Sequence, residues 1–178
     1  VYEQNSEIMR GGTYGNQYRH HYGYHYPRSP ETVRQCQAAE KDFVDVWGEA
    51  IIDDFPAYYA IASEGSKVTA EQFFSFCEAL NLPHETSYPS EDFLDRSHVE
   101  TCIKTKEPVY DYSRLRELAK DKILSNPHIQ IKLDNPVVGC KFDETDSTKI
   151  VSAKSAGEIY HESFDYVINA TYANHNQF

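Results

Sequence analysis

Apolar positions along the chain switch between helical and strand spacing. Ser29-Pro30-Glu31-Thr32 is a helix start, with Ser29 as N-cap, Pro30 in the first helical position and acid in the first turn. Val33, Cys36, Phe43 and Trp47 then recur on one face, which predicts a helix to about Trp47. Phe55 to Ala62 reads as a strand, with Pro56 near its start, where a missing N–H is tolerated. Thr69-Ala70-Glu71-Gln72 is a capping box, after which Phe73, Phe76, Cys77 and Leu80 share a helical face. Val99 to Thr105 alternates as a strand does. Asp111 caps a third helix carrying Leu115, Leu118, Ala119 and Ile123, stopped by Asn126-Pro127. Four short strands complete the pattern: Ile129–Leu133, Val137–Phe142, Ile150–Ala153 and Tyr166–Asn169. Asp143 to Lys149 is a polar hairpin connection and Gly157-Glu158 a turn.

Composition narrows the class. The 178 residues allow one ordinary domain or parts of two, and 40% hydrophobic with 13% aromatic content supplies a core. A net charge of −11 argues against a nucleic-acid or anionic-membrane partner. No apolar run reaches the length of a membrane span, and no signal-peptide pattern opens the chain. Cys36, Cys77, Cys102 and Cys140 form no Cys-x-x-Cys pair, so they read as structural thiols of a reducing, cytoplasmic compartment, and no metal site is expected.

Both ends carry a further pattern. The tail Phe164-Asp165-Tyr166-Val167-Ile168-Asn169-Ala170-Thr171 runs a hydrophobic strand into a turn of small residues, where a ligand can approach the backbone closely. The start, Val1-Tyr2-Glu3-Gln4, steps from apolar to acidic before Gly11-Gly12-Thr13-Tyr14-Gly15-Asn16-Gln17. In dinucleotide-binding folds the second strand ends in an acid that accepts from both ribose hydroxyls. Together these resemble the FAD-dependent oxidoreductases of the D-amino-acid oxidase type, the glycine oxidase and L-2-hydroxyglutarate dehydrogenase-like enzymes.

The resemblance implies an α/β fold: an incomplete FAD-binding Rossmann-like parallel sheet, with Val1–Glu3 and Tyr166–Asn169 as strands of it, plus an antiparallel β-sheet/helix substrate domain. Residues 1–42 and 107–178 would form the partial FAD-binding domain and 43–106 the partial substrate-binding domain. Glu3 would hold the ribose, and Thr13, Gly15 and Asn16 would line the pyrophosphate. Val137 would offer its backbone to the adenine, and Ala170 and Thr171 would form the turn that meets FAD. Tyr172 stands where many relatives have Gly. No Gly-x-Gly-x-x-Gly precedes Glu3, so the chain reads as an internal piece lacking N- and C-terminal parts of the enzyme, inactive by itself.

The densest chemistry lies in Arg19-His20-His21-Tyr22-Gly23-Tyr24-His25-Tyr26-Pro27-Arg28-Ser29. His21 and His25 have metal-ligand spacing only on a helix, and Gly23 with Tyr26-Pro27 argues for extended chain. The net charge opposes a nucleic-acid strip. The segment is similar to the family's His-x-Gly stretch beside the flavin: Gly23 would admit the ring, His21 or His25 would act as base, and Arg28 would pair with a substrate carboxylate. The implied activity is oxidation of a small amino or hydroxy acid by hydride transfer to flavin. A non-catalytic binding protein on the same scaffold is the alternative.

Overall fold

A computed structural model describes residues 1–177 and has a mixed α/β architecture. Among the described residues it contains three α-helices and eight strands, and every sheet is antiparallel. Contacts group the chain into two compact units, Gln17–Leu115 and the combination of Val1–Asn16 with Arg116–Phe178.

The middle unit opens with α1 (Pro30–Trp47), β1 (Ile51–Ile52), β2 (Ala57–Ala62), α2 (Ala70–Ala79), β3 (His84–Thr86), β4 (Val99–Thr105) and β5 (Val109–Tyr110). β4 is central, with β2 and β3 antiparallel on either side, and its Thr101, Cys102, Ile103 and Thr105 are buried. The capping box at Thr69 forms as expected. Thr69 Oγ1 accepts the Gln72 N–H and Gln72 Oε1 accepts the Thr69 N–H. The helix it starts turns Phe73, Phe76 and Cys77 inward, where they join Tyr24, Val33, Ile61, Leu80, Leu82 and Ile103 in one core. Burial pushes the Cys77 thiol up to about 12, which makes it an inert apolar filler.

The other unit contains most of α3 (Tyr112–Leu124), whose first turn belongs to the middle unit, and the meander β6 (Val137–Asp143), β7 (Thr148–Ser155) and β8 (Glu158–Phe164). Asp111 caps α3, its Oδ1 accepting the N–H groups of Ser113 and Arg114. β7 and β8 are joined by Ala156-Gly157, both left-handed (φ 50° and 93°), the two-residue turn whose twist suits a hairpin. Tyr2 makes a parallel bridge to Lys132, flanked by Glu3 N–H to the Lys132 carbonyl at 3.0 Å and Lys132 N–H to the Val1 carbonyl at 2.8 Å. Lys132 Nζ reaches both Glu162 oxygens, at 2.5 and 2.6 Å, and Tyr2 donates to the same carboxylate.

Two strand expectations are corrected. Ile129–Leu133 makes only the single bridge at Lys132. Tyr166–Asn169 forms no strand and does not join Val1–Glu3 in a parallel sheet, because no ladder partner lies beside it; Tyr166 and Ile168 are exposed. The third strand of the meander is instead Glu158–Phe164. It turns Tyr160, Glu162 and Phe164 inward and Ile159, His161 and Ser163 outward, a clean two-residue alternation. No helix among the described residues is long and apolar enough to cross a membrane.

Candidate functional site

The Tyr/His-rich segment folds around one buried carboxylate. Tyr18 and Arg19 run antiparallel beside β5: Arg19 bridges to Val109, and the His20 N–H donates to the Pro108 carbonyl at 3.0 Å. This sets the segment over Glu107, whose side chain is fully buried in the short connection between β4 and β5. A buried carboxylate survives only when its lone pairs are met. Here Oε1 accepts the Tyr22 backbone N–H at 3.0 Å, and Oε2 accepts the Tyr59 hydroxyl. Arg19 Nη1 lies 3.5 Å from Oε2 and donates to Tyr59 Oη at 2.7 Å, closing a triangle of charge and hydroxyl. Burial, and then the bond to Glu107, push the Tyr59 hydroxyl upward, so it remains a donor.

His21 and His20 flank this carboxylate. His21 Nδ1 faces Glu107 Oε1 at 3.7 Å, an ion-pair distance rather than a formed hydrogen bond, and that nitrogen is buried. The side chain as a whole is 37% exposed, so its accessible edge is the opposite one. The His25 and Tyr26 rings stand beside it, at 6.3 and 5.9 Å between centroids. His20 is buried against Phe43 and Tyr22, with its Nδ1 unpartnered among the described residues. Burial lowers its pKa, against the pull of Glu40 and Glu107. Tyr22 donates to Glu40 Oε1 at 3.1 Å; burial first, and that bond second, carry its hydroxyl up to about 12.

Helix α1 closes the other side. Gly23 has φ +107°, and a Cβ there would lie 2.7 Å from Val33 Cγ1, so the position must be glycine for the helix to dock. The close approach that Gly23 permits is therefore made by Val33 of α1. His25 and Arg28 are exposed, and no carboxylate among the described residues pairs with Arg28.

The remaining candidates lie in the other unit. Glu3 ends the short pairing with Lys132, and its Oε1 accepts the Asn5 backbone N–H at 2.8 Å and Asn5 Nδ2 at 2.7 Å. Its carbonyl takes the Asn135 N–H at 3.0 Å, which brings Glu3 within two residues of Val137 at the start of β6. Thr13 sits half-buried in a run of turns where the Gly11 carbonyl accepts the N–H groups of Tyr14 and Gly15. Asn16 Nδ2 donates to the Gly12 carbonyl at 3.2 Å. Ala170 and Thr171 form a tight turn closed by Asn169 Oδ1, which accepts both the N–H and the hydroxyl of Thr171. Tyr172 follows with φ 53°, a left-handed position that favours glycine.

Sequence reasoning missed Glu107, Tyr59 and Glu40. A lone Glu between Lys106 and Pro108 carries no periodic signal, and only the paired backbone of Arg19 and Val109 reveals what it faces. No grouping of three metal-binding side chains occurs among the described residues. Shallow open grooves of about 430 and 500 Å³ lie on the middle unit, along Pro56–Tyr58–Phe93 and Glu91–Ser97, and neither is lined by His20, His21 or His25. No protein-family model matches the chain, and no curated protein matches it.

Proposed function

We propose that the chain is part of an FAD-dependent oxidoreductase of the D-amino-acid oxidase type, acting on a small amino or hydroxy acid. The observation that carries this reading is the Asn135–Glu3 backbone bond. It gathers an acid beside the isolated Tyr2–Lys132 bridge and the residues leading into the meander, over 130 residues apart in sequence, at one edge of the same unit. The residues present fit the adenosine side of FAD. Glu3 Oε1 is held by Asn5, which leaves Oε2 to accept ribose hydroxyls. Val137 has its backbone at a strand start, and the left-handed Tyr172 after Ala170-Thr171 occupies the place where the family's turn has Gly. The parallel Tyr2–Lys132 bridge is in keeping with a Rossmann-like sheet.

Bound flavin supplies the redox step by accepting a hydride from the C–H beside the amine or hydroxyl. The middle unit would bind and orient the substrate. Arg28, with no carboxylate partner among the described residues, suits the substrate carboxylate through a bidentate fork. His21 or His25 would take the hydroxyl proton, since a neutral imidazole carries one nitrogen with an accepting lone pair. An amine substrate loses its proton before binding and needs no such base.

The rival, a non-catalytic binding protein, draws on Glu107 being met by the chain's own donors. Flavin content separates the two. The complete reading frame should purify yellow, and Glu3→Ala should weaken FAD by about 1–3 kcal/mol, read by flavin release on dilution. The 178 residues should bind FAD weakly in a calorimeter, because they hold no Gly-x-Gly-x-x-Gly loop to cradle its phosphates. A colourless full-length protein whose affinity for FAD is unchanged by Glu3→Ala would refute the proposal.

A further inference from the structure

Two histidines, His21 and His25, offer themselves as base, and the geometry around them differs. His25 is exposed, its ring pairs are with His21 and Tyr26, and no carboxylate pairs with it among the described residues. His21 has a buried carboxylate behind one nitrogen and an accessible edge on the other side. We infer that Glu107 is the positioning residue of a Glu107–His21 dyad, and that His21 Nε2 is the atom that takes the substrate hydroxyl proton. The inference rests on the oxidoreductase reading for its substrate, a 2-hydroxy acid, but its geometry does not.

Hydrogen-bond inventory fixes which nitrogen of His21 carries the proton. An ionised carboxylate only accepts, so the nitrogen facing it must carry the proton, and in a neutral imidazole the other nitrogen is then a lone-pair acceptor. With Nδ1 buried against Oε1, the protonated nitrogen points inward and Nε2 is left as the accepting atom. The 3.7 Å separation tightens to a hydrogen bond when the ring turns by a small amount on binding substrate, as apo catalytic contacts commonly do. Glu107 itself cannot drift. Its Oε1 is fixed by the rigid Tyr22 backbone N–H, and its Oε2 by Tyr59 with Arg19 behind it. Arg19 is in turn held by Gln17 Oε1, at 2.6 Å from Nη2 and 3.1 Å from Nε. The hydroxyl proton would move to Nε2 as the substrate is oxidised to the 2-oxo acid, with the bound oxidised flavin supplying the two-electron acceptor for the hydride. The imidazolium formed then faces Glu107 with both N–H groups satisfied, one inward and one toward product.

Long-range proton–nitrogen correlation spectra of the protein at alkaline pH read the tautomer directly; His21→Gln assigns the signal. The expected result is a proton on Nδ1. In Glu107→Gln the amide oxygen takes the side with two donors, Tyr59 and Arg19, over the side with the single Tyr22 N–H, which turns an N–H toward His21 and inverts its tautomer. The same variant should lower kcat on a 2-hydroxy acid by about tenfold or more with KM nearly unchanged, as expected when a base is held in the wrong tautomer. Tyr59→Phe, which keeps the charge and removes one tether, should retain the Nδ1–H tautomer and lose less of kcat. A proton on Nε2 in the unaltered protein overturns the inference, as does a tautomer unmoved by Glu107→Gln. If the protein lacks flavin while the tautomer behaves as expected, the dyad stands and the oxidoreductase reading falls.

Discussion

His20 shows how one buried side chain ties the candidate site to stability. Its ring is packed between Phe43 of α1 and Tyr22, and burial lowers its pKa below the ordinary 6.5 despite Glu40 and Glu107 nearby. The unfolded chain therefore binds a proton at a pH where the folded one does not. Stability contributed by neutral His20 is complete above pH 6.5 and is lost as pH falls from there through the lower, folded value. His20→Phe keeps an aromatic ring in the same cage without the titration. Urea unfolding on either side of pH 6.5 should show the unaltered protein losing more stability on acidification than the variant; equal losses would exclude His20 as the source. None of this is visible from Arg19-His20-His21 as a string, because adjacent histidines look alike there. One is sealed by a helix and the other opens outward only after the segment is laid against β5. The same holds for Glu107, whose role depends on contacts 48 and 85 residues away in sequence.

At the scale of elements, local chemistry carries much further. The capping box at Thr69, the alternation of Val99–Thr105 and the Ser29-Pro30 helix start each specify an element from neighbouring residues alone, and each forms at that place. The error at the C-terminal end has a physical cause. Tyr166–Asn169 is apolar enough for a strand, yet a strand needs a ladder partner, and the β7 edge is taken by Glu158–Phe164 through a two-residue turn. Gly23 links these elements to the site. Gly23→Ala would place a methyl 2.7 Å from Val33 Cγ1 at φ +107°, combining overpacking with a left-handed backbone. The expected cost is about 2–4 kcal/mol in chemical denaturation. In a Val33→Ala background the same substitution should cost clearly less, since the clash is removed and only the backbone strain remains. An identical cost in both backgrounds would mean that α1 does not dock where Val33 meets Gly23.

Over the whole molecule, charge and exposed apolar surface oppose each other. The net charge of −11 is unevenly spread: Gln17–Leu115 holds 17 acidic against 9 basic residues, and the other unit 11 against 8. Both units are negative, so copies repel one another at neutral pH. That repulsion shields side chains that would otherwise associate, including Tyr166 at 87% and Ile168 at 91% exposure in a stretch with no strand partner. Near the isoelectric point, about 5.1, the shield disappears, and light scattering should rise to a maximum there. Replacing Tyr166 and Ile168 together by Glu removes two apolar contacts and adds two charges. Changing exposed Gln4 and Gln35 to Glu adds the same charge and removes no apolar surface. If the tail is the sticky surface, the Tyr166/Ile168 variant should scatter less than the Gln4/Gln35 variant at each variant's own isoelectric point. Equal scattering from the two would place the association elsewhere, with exposed Phe93 in the middle unit as the next residue to change.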